Sequence, residues 1–169
     1  ALAAIGSVSR LTITSQLADA ESGGQLRVEA GNAGRVEKVG APVGTLVQVE
    51  DLFFNLPARL KFLKKDVTER RQIDELVTRY ALAYPHVRFK LVQDGNVSLQ
   101  TSGSGDQREV LAAVFGVETA RQMLTVLAEY EDLKISGYIS PLTLTRSNRR
   151  EITFFINGRW VQDAGLTSA

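Results

Sequence analysis

Two adjacent residues, Gly44 and Thr45, are of types that could serve a small-molecule binding site. Gly44 permits a tight turn into a strand, and Thr45 places a hydroxyl just inside that strand. A hydroxyl can bind a polar ligand, but β-branched residues are also common at strand starts for structural reasons alone. Taken by themselves, the residues favour the structural interpretation.

Two groups of cationic side chains could contact phosphate. The first lies around a predicted helix start and contains six cations against Asp66 and Glu69: Arg59, Lys61, Lys64, Lys65, Arg70 and Arg71. The second flanks a predicted strand: Arg146, Arg149, Arg150 and Arg159. For the first group a solvated helix face is favoured over phosphate contacts. For the second we predict DNA contacts, because loop arginines can reach a nucleic-acid backbone, with a solubilising loop as the alternative.

The sequence contains no complete catalytic site. It has no cysteine and a single histidine, His86, which excludes thiolate nucleophiles, disulfides and multi-histidine metal sites. Its carboxylates are scattered and form no acid–base pair, and its glycine-rich loop at residues 103–105 lacks the lysine of a phosphate loop. We therefore predict neither a catalytic residue nor a metal site in this chain.

The composition is that of a globular protein, and the net charge of +1 means that any attraction for DNA must be local. The 169 residues suit one large domain or two small ones. No apolar run approaches the roughly 18 residues of a membrane span. Because the first residue is not Met and both ends resemble interrupted helices, we expect a piece of a longer protein.

The pattern of apolar residues changes near residue 55. Before it, short alternating runs separated by glycine-rich turns predict an antiparallel meander of four strands, at residues 8–15, 25–30, 35–39 and 44–50. After it, helical spacing predicts helices at 66–84 and 106–115, each opened by a capping box, and a shorter one at 118–123. Strands are predicted at 87–92, 97–101, 124–130, 133–140 and 152–157. The chain is thus expected to be an α+β protein with a boundary at residues 55–66.

Four segments together resemble one family. GTLVQVEDLFFNLPARLKFLKK, at residues 44–65, closely resembles the signature segment of the MutL family of DNA mismatch repair proteins. The other three agree with that family in order and spacing: ALAAIGSVSRLTITS, YALAYPHVRFKL, and ISGYISP followed by RSNRREITFFINGRWVQDA. The resemblance covers essentially the whole chain.

The resemblance implies a fold. Residues 1–65 would be the C-terminal part of an ATPase domain of the gyrase, Hsp90, histidine kinase and MutL (GHKL) superfamily, with a mixed or antiparallel sheet and helices. Residues 66–169 would be most of an α/β domain resembling ribosomal protein S5 domain 2. Because the helices that cover the sheet would lie upstream, we also expect residues 7–50 to expose an apolar sheet face.

The resemblance also implies roles for particular residues. Gly44 and Thr45 match a Gly-Thr motif near the adenine of bound ATP. Asn55, Pro57 and Arg59 match a fixed corner with a structural and domain-coupling role. Asn157 and Gly158 match, with Arg159, an NGR turn, but residues 160–164 lack the basic side chains that often follow it, which weakens a DNA contact there.

The function implied is that of an ATP-binding repair clamp that couples mismatch recognition to later repair factors. ATP and Mg²⁺ would bind the full-length protein, whose catalytic glutamate, magnesium-binding asparagine and lid lie outside this chain, so the chain alone is not expected to bind them or to hydrolyse ATP. The implied partners are DNA, a mismatch-recognition protein of the MutS type and a second copy of the protein. No membrane is implied, and the expected location is the bacterial cytoplasm, at the nucleoid. The alternative is a non-enzymatic module that binds DNA or couples domains.

Overall fold

A computed structural model describes residues 1–145 and 151–168 of the chain. The chain divides into two compact units, residues 1–64 and 65–169. Within the described residues, no helix is both long enough and apolar enough to cross a membrane. The described elements are mixed helices and antiparallel strands, which confirms the α+β prediction.

The first unit is built on one antiparallel sheet. Its elements are α1 (Leu2–Gly6), β1 (Arg10–Gln16), β2 (Gly23–Glu29), β3 (Asn32–Ala33), β4 (Glu37–Val39), β5 (Gly44–Glu50) and α2 (Pro57–Leu60). The strand order is β3-β2-β1-β5, and β4 also pairs with β2. The predicted meander is therefore wrong at its last step, since β5 pairs with β1 and not with β4.

The register of β1 explains this pairing. Leu11 lies between Val28 and Val49, and Ile13 lies between Leu26 and Val47. Since alternate side chains share one face of a sheet, all six apolar residues lie on the same face. Strand β4 has only three residues and could not offer β5 seven partners.

The apolar face of this sheet is only partly covered. Leu11 is buried, and an added Cβ on Gly6 would lie 3.1 Å from Val28 Cγ1, so α1 packs closely on this face. At the other edge, Val47 and Val49 remain 42% and 43% exposed. The expected exposed apolar face is therefore present in the first unit.

The second unit combines helices with three hairpins. Its helices are α3 (Asp66–Ala83), α4 (Gln107–Phe115), α5 (Val117–Gln122) and α6 (Ala164–Ser168). Its strands form three separate antiparallel pairs within the described residues: β6 (Lys90–Gln93) with β7 (Asn96–Gln100), β8 (Leu124–Tyr130) with β9 (Leu133–Ile139), and β10 (Phe154–Ile156) with β11 (Arg159–Val161). The predicted turn at residues 94–95 joins β6 to β7, with positive φ at both positions.

The core of this unit lies where α3, α4 and α5 meet the strands. Its buried members are Ala81, Leu82, Leu99, Val110, Leu111 and Ala120. Tyr138 of β9 and Phe155 of β10 pack against this cluster. The opposite face of the β8–β9 pair is apolar and exposed, with Leu133 and Ile135 57% and 49% accessible.

The two predicted capping boxes have different outcomes. Asp106 is the N-cap of α4 and accepts a hydrogen bond of 2.8 Å from the backbone N–H of Arg108. Asp66 instead occupies the first position of α3, after Lys65, so the first capping box is wrong. The acidic side chains of Asp66 and Glu69 still lie in the first turn of α3, where a negative charge interacts favourably with the helix dipole.

Candidate functional site

Thr45 lies at the open end of the sheet in the first unit. It pairs with Ser15 in the β1–β5 register, and the Oγ atoms of the two residues are 2.8 Å apart. Ser15 also donates to the carbonyl oxygen of Gly44 at 3.3 Å. Both hydroxyls are exposed, and each can both donate and accept. Together they form a small polar edge able to bind the ring nitrogens of a flat heterocycle.

The backbone at Gly44 explains why glycine is used there. Its φ is +125°, which an L side chain rarely adopts, and a Cβ added to it would meet nothing within 4 Å. Glycine thus allows the backbone conformation with which the chain enters β5, and it leaves open space next to Thr45. A cavity of about 160 Å³ lies beside Gly44 and is lined by Thr14 and residues 41–46, but not by Ser15. It is smaller than the roughly 300–1,000 Å³ of a complete ligand pocket.

The segment that follows β5, residues 51–60, forms a sharp corner. Asp51 and Phe53 have φ values of +50° and +66°, a left-handed conformation that non-glycine residues adopt only when it is held in place. Pro57 opens α2 at the first helical position, which suits its fixed φ and missing N–H. Arg59 stacks over the ring of Phe53, with 5.8 Å between its Cζ and the ring centroid.

Hydrogen bonds tie this corner to the segment between α1 and β1. The side-chain amide of Asn55 donates to the carbonyl oxygen of Ser7 at 3.0 Å. The backbone N–H of Phe53 donates to the carbonyl oxygen of Val8 at 2.6 Å. Two of the three residues assigned to the corner from the sequence, Asn55 and Arg59, therefore make side-chain contacts that hold it.

Arg10 is the centre of a charged network beside the corner. Its guanidinium forms ion pairs with Glu29, at 3.0 Å, and with Asp51. It also lies 4.7 Å from the centroid of the Phe54 ring. The hydrogen bond to Glu29, followed by that to Asp51, raises the pKa of Arg10 above its ordinary value. A groove of about 920 Å³ on the polar face of the sheet is lined in part by Arg10, Glu29 and Phe54.

The NGR turn joins β10 to β11. Asn157 and Gly158 have φ values of +50° and +75°, as a two-residue hairpin loop with right-handed twist requires. In the register, Arg159 pairs with Ile156 and Trp160 pairs with Phe155. Since Phe155 packs on the core, Arg159 lies on the opposite face of the hairpin and is exposed. The other three predicted DNA contacts, Arg146, Arg149 and Arg150, lie outside the described residues.

Much of the first basic group is used in local structure. Arg70 forms an ion pair with Asp94, and Arg71 forms one with Glu75 at 3.1 Å. Arg59 is stacked on the corner. These contacts favour the solvated, structural interpretation of that group over phosphate binding.

Ser15 and Arg10 have site contacts that the sequence alone did not indicate. Ser15 becomes a neighbour of Thr45 only because β5 pairs with β1, and that pairing is not sequential. Arg10 belongs to neither group of cationic residues, and its partner Asp51 is one of the scattered carboxylates. The sequence therefore gave no reason to pair them. Among the described residues, no three His, Cys, Asp or Glu side chains come together to hold a metal ion.

Comparison with known proteins identifies the fold. The structure of the Aquifex aeolicus MutL ATPase domain complexed with ADP superposes with a TM-score of 0.84 and 37% identity, over 99% of this chain and 64% of that one. A second structure of the A. aeolicus MutL ATPase domain gives a TM-score of 0.78 and 36% identity over 96% of this chain and 61% of that one. The fold is that of part of a MutL ATPase domain.

The sequence comparisons agree. The family described as "DNA mismatch repair protein, C-terminal domain" matches residues 111–169. DNA mismatch repair protein MutL of Streptococcus equi subsp. equi is 41% identical over all 169 residues, and that of Shouchella clausii is 42% identical over the same length. The chain spans 26% of the length of each of these relatives. It belongs to the MutL family of DNA mismatch repair proteins.

Proposed function

We propose that this chain is part of an ATP-operated mismatch repair clamp and supplies one side of its nucleotide-base site. The observation that carries the proposal is the Ser15–Thr45 hydroxyl pair, 2.8 Å apart at an open sheet end. It is supported by the match to a MutL ATPase domain whose structure contains ADP. In this proposal residues 1–65 belong to the ATPase domain and residues 66–169 to the S5-like domain.

The residues at this sheet end suit the base of a nucleotide and not its phosphates. Hydroxyl groups can bond the ring nitrogens and exocyclic amine of adenine. Lining residues 41–46 and Thr14 include no cation for a phosphate and no carboxylate for a metal. ATP hydrolysis needs a general base and a metal ion, so we assign Mg²⁺ and the hydrolytic step to the complete protein.

The corner is proposed to couple nucleotide binding to the rest of the clamp. Asn55 and the Phe53 N–H bind the carbonyl oxygens of Ser7 and Val8, and Arg10 binds Asp51, so residues 7–10 and 51–59 move together. A displacement of α1 would therefore reach Pro57 and α2. DNA contact is assigned to Arg146, Arg149, Arg150 and Arg159, and the proposed protein partners are a MutS-type protein and a second copy.

The nucleotide role can be tested in the complete reading frame that carries this sequence. Thr45→Val removes the hydroxyl and keeps the β-branched shape, whereas Thr45→Ser keeps the hydroxyl. Loss of one hydrogen bond should weaken ATP binding about 5–10-fold, and the variant should raise the spontaneous mutation frequency of a host that depends on it. Thr45→Ser should stay close to the parent protein.

Thr12→Val is the matched control. Thr12 lies in the same sheet, opposite Gln48, but its side chain is on the other face of the sheet from Thr45. It should change neither ATP affinity nor mutation frequency. If Thr45→Val binds ATP as tightly as the parent protein, the base-site role of Thr45 is wrong.

A further inference from the structure

The hydroxyls of Thr45 and Ser15 belong to a short chain of oxygen atoms that ends at a backbone carbonyl group. The Oγ atom of Ser15 lies 2.8 Å from Oγ1 of Thr45 and 3.3 Å from the carbonyl oxygen of Gly44. The first distance is typical of a hydrogen bond between hydroxyls, and the second is that of a longer one. The three oxygen atoms have two protons between them, one from each hydroxyl.

The number of protons fixes the direction of both hydrogen bonds. A hydroxyl has one proton to donate, and a carbonyl oxygen has none. The carbonyl oxygen of Gly44 is therefore bonded only if Ser15 donates to it, and Ser15 must then accept from Thr45. If Ser15 donated to Thr45 instead, lone pairs of Ser15 and Gly44 would face each other at 3.3 Å. The order that makes both contacts hydrogen bonds runs from Thr45 to Ser15 to Gly44.

This order decides what the Thr45 hydroxyl can offer a ligand. A hydroxyl in isolation can bind a donor or an acceptor, because it has one proton and two lone pairs. The proton of Thr45 is used on Ser15, so the Thr45 oxygen has only lone pairs left for a ligand. To donate to a ring nitrogen, Thr45 would first have to give up its bond to Ser15. The pair in its bonded form therefore binds ligand groups that donate.

The neighbouring positions on this face of the sheet add no competing donor side chain. Ile13 and Val47, which pair with each other, are the next residues along β1 and β5 on the same face. On its other side Ser15 pairs with Gly24, which has no side chain. Ser15 and Thr45 are both exposed, so a ligand can reach them. They are thus the polar part of a surface whose neighbouring side chains are apolar.

We propose that Ser15 sets the base preference of the nucleotide site, by holding the Thr45 hydroxyl as an acceptor for an exocyclic amine. Adenine carries a donor, its N6 amine, where guanine carries an acceptor, its O6 carbonyl. The acceptor on Thr45 bonds the first group and faces the lone pairs of the second. Ser15 acts through Thr45 and is therefore a positioning residue. The proposal rests on the proposed function, since it concerns the same base site.

The test compares two nucleotides that differ only in this amine. They are ADP and the diphosphate of purine riboside, which has a hydrogen atom in place of the amine. Both are titrated by calorimetry into the protein made from the complete reading frame that carries this sequence. The readout is the ratio of the two dissociation constants on one preparation. A partly unfolded variant loses sites for both nucleotides alike, so a purely structural effect leaves the ratio unchanged.

Ser15→Ala should reduce the preference for ADP over the amine-free analogue by about 3–10-fold, the worth of one hydrogen bond. Without Ser15 the proton of Thr45 is free and can be donated to a ring nitrogen of the analogue. The analogue should therefore bind more tightly, while the affinity for ADP changes little. Ser15→Thr keeps a hydroxyl at this position and should keep the parent ratio.

Thr45→Val should reduce the same preference for the opposite reason. Valine cannot accept from the amine, so ADP should bind more weakly while the analogue is unaffected. Because Ser15 acts through Thr45, adding Ser15→Ala to Thr45→Val should change the ratio no further. Thr12→Val is again the control, since it removes a hydroxyl from the other face of the sheet and should keep the parent ratio.

Two results would overturn the role of Ser15. One is a Ser15→Ala protein that keeps the parent ratio, and the other is an equal effect of Ser15→Ala with and without Thr45→Val. In both cases the proposed base site still stands if Thr45→Val weakens ADP binding. If Thr45→Val binds ADP as tightly as the parent protein, the base site itself is wrong and the role of Ser15 falls with it.

Discussion

The side-chain amide of Asn55 donates a hydrogen bond of 3.0 Å to the carbonyl oxygen of Ser7, which lies 48 residues earlier in the chain. This bond joins the corner after β5 to the end of α1. Beside it, the left-handed residues Asp51 and Phe53 are held by Arg10 and by the carbonyl oxygen of Val8. The corner is thus stabilised from outside its own segment.

Asn55→Ala should therefore destabilise the first unit. Removing the amide leaves the carbonyl oxygen of Ser7 without this donor and should lower the free energy of unfolding by about 1 kcal/mol. The measurement is urea unfolding followed by far-ultraviolet circular dichroism. Asn32→Ala, an exposed change in β3 of the same unit, should stay within about 0.5 kcal/mol of the parent chain. Equal midpoints for the two variants would contradict the role of Asn55.

Arg108 should be a major stabilising residue of the second unit. Its guanidinium donates to the carbonyl oxygens of Ala120, at 2.5 Å, and Met123, at 3.2 Å, and lies 4.8 Å from the Tyr138 ring centroid. Arg108→Met should cost about 2–3 kcal/mol, since two carbonyl groups lose a charged donor. Arg108→Lys should recover only part of this, because an ammonium cannot form the same planar fork and stack.

The readout for Arg108 is urea unfolding followed by Trp160 fluorescence, which reports on the second unit alone. Arg121→Met is the matched control. The side chain of Arg121 is 71% exposed and, among the described residues, forms an ion pair with Glu118 alone, so its removal should change stability by less than about 0.5 kcal/mol. If both variants unfold at the same urea concentration, the bridging role of Arg108 is refuted.

Gly103 and Gly105 form a matched pair for backbone strain. Both have positive φ, +73° and +89°, but a Cβ on Gly103 would lie 2.8 Å from the backbone nitrogen of Arg88, whereas one on Gly105 would meet nothing within 4 Å. Gly105→Ala should cost about 1–2 kcal/mol for the left-handed conformation alone. Gly103→Ala should cost about 1–3 kcal/mol more, because the backbone of Arg88 must move. Equal thermal midpoints would be inconsistent with this close approach.

Glu109 should make part of the stability of the second unit depend on pH. The hydroxyls of Ser102 and Ser104 donate to its carboxylate at 2.5 and 2.7 Å, and in that order they lower its pKa below the ordinary value of 4.5. A lowered folded-state pKa stabilises the protein above the unfolded pKa, and this stabilisation is lost as the pH falls through the folded pKa.

The double variant Ser102→Ala/Ser104→Ala tests that dependence. It should be less stable than the parent chain near neutral pH, and the difference should shrink as the pH falls below 4.5. The measurement is the urea midpoint, read from Trp160 fluorescence, over that pH range. A difference that stays constant with pH would mean that the hydroxyls do not act through the charge of Glu109.

Local features of the sequence predicted most helices and strands but not their arrangement. Alternation placed β5 at its observed bounds and β1 within two residues, and helical spacing with Pro85 placed the end of α3 within one residue. The order β2-β1-β5 depends on which long-range pairing buries Leu11 and Ile13, and alternation alone cannot choose between β4 and β5 as the neighbour. The Ser15–Thr45 contact followed from that choice, so it could not be predicted either.

The two capping boxes show how tertiary context decides a local pattern. Asp66 and Asp106 are each followed by Glu three residues later, and only Asp106 caps its helix. Lys65 has an extended backbone, and its carbonyl oxygen accepts from the N–H groups of Thr68, at 2.7 Å, and Glu69, at 3.1 Å. Lys65 is therefore the N-cap, and α3 begins one residue earlier than the capping-box sequence predicts. The roles of Gly44, Thr45, the corner and the NGR turn come from a family resemblance, whereas the DNA contacts come from the charge and position of the arginines; all of these roles remain predictions.

The central place of β1 in its sheet has a consequence for how the first unit folds. Strand β1 is flanked by β2, which follows it closely, and by β5, whose partner residues are 28–40 positions away. The β1–β2 pair can close early, but the second edge of β1 must wait until residue 50 is available. During synthesis, Leu11 and Ile13 would meanwhile lie on an unfinished sheet with an unpaired edge, which is the kind of intermediate that chaperones bind.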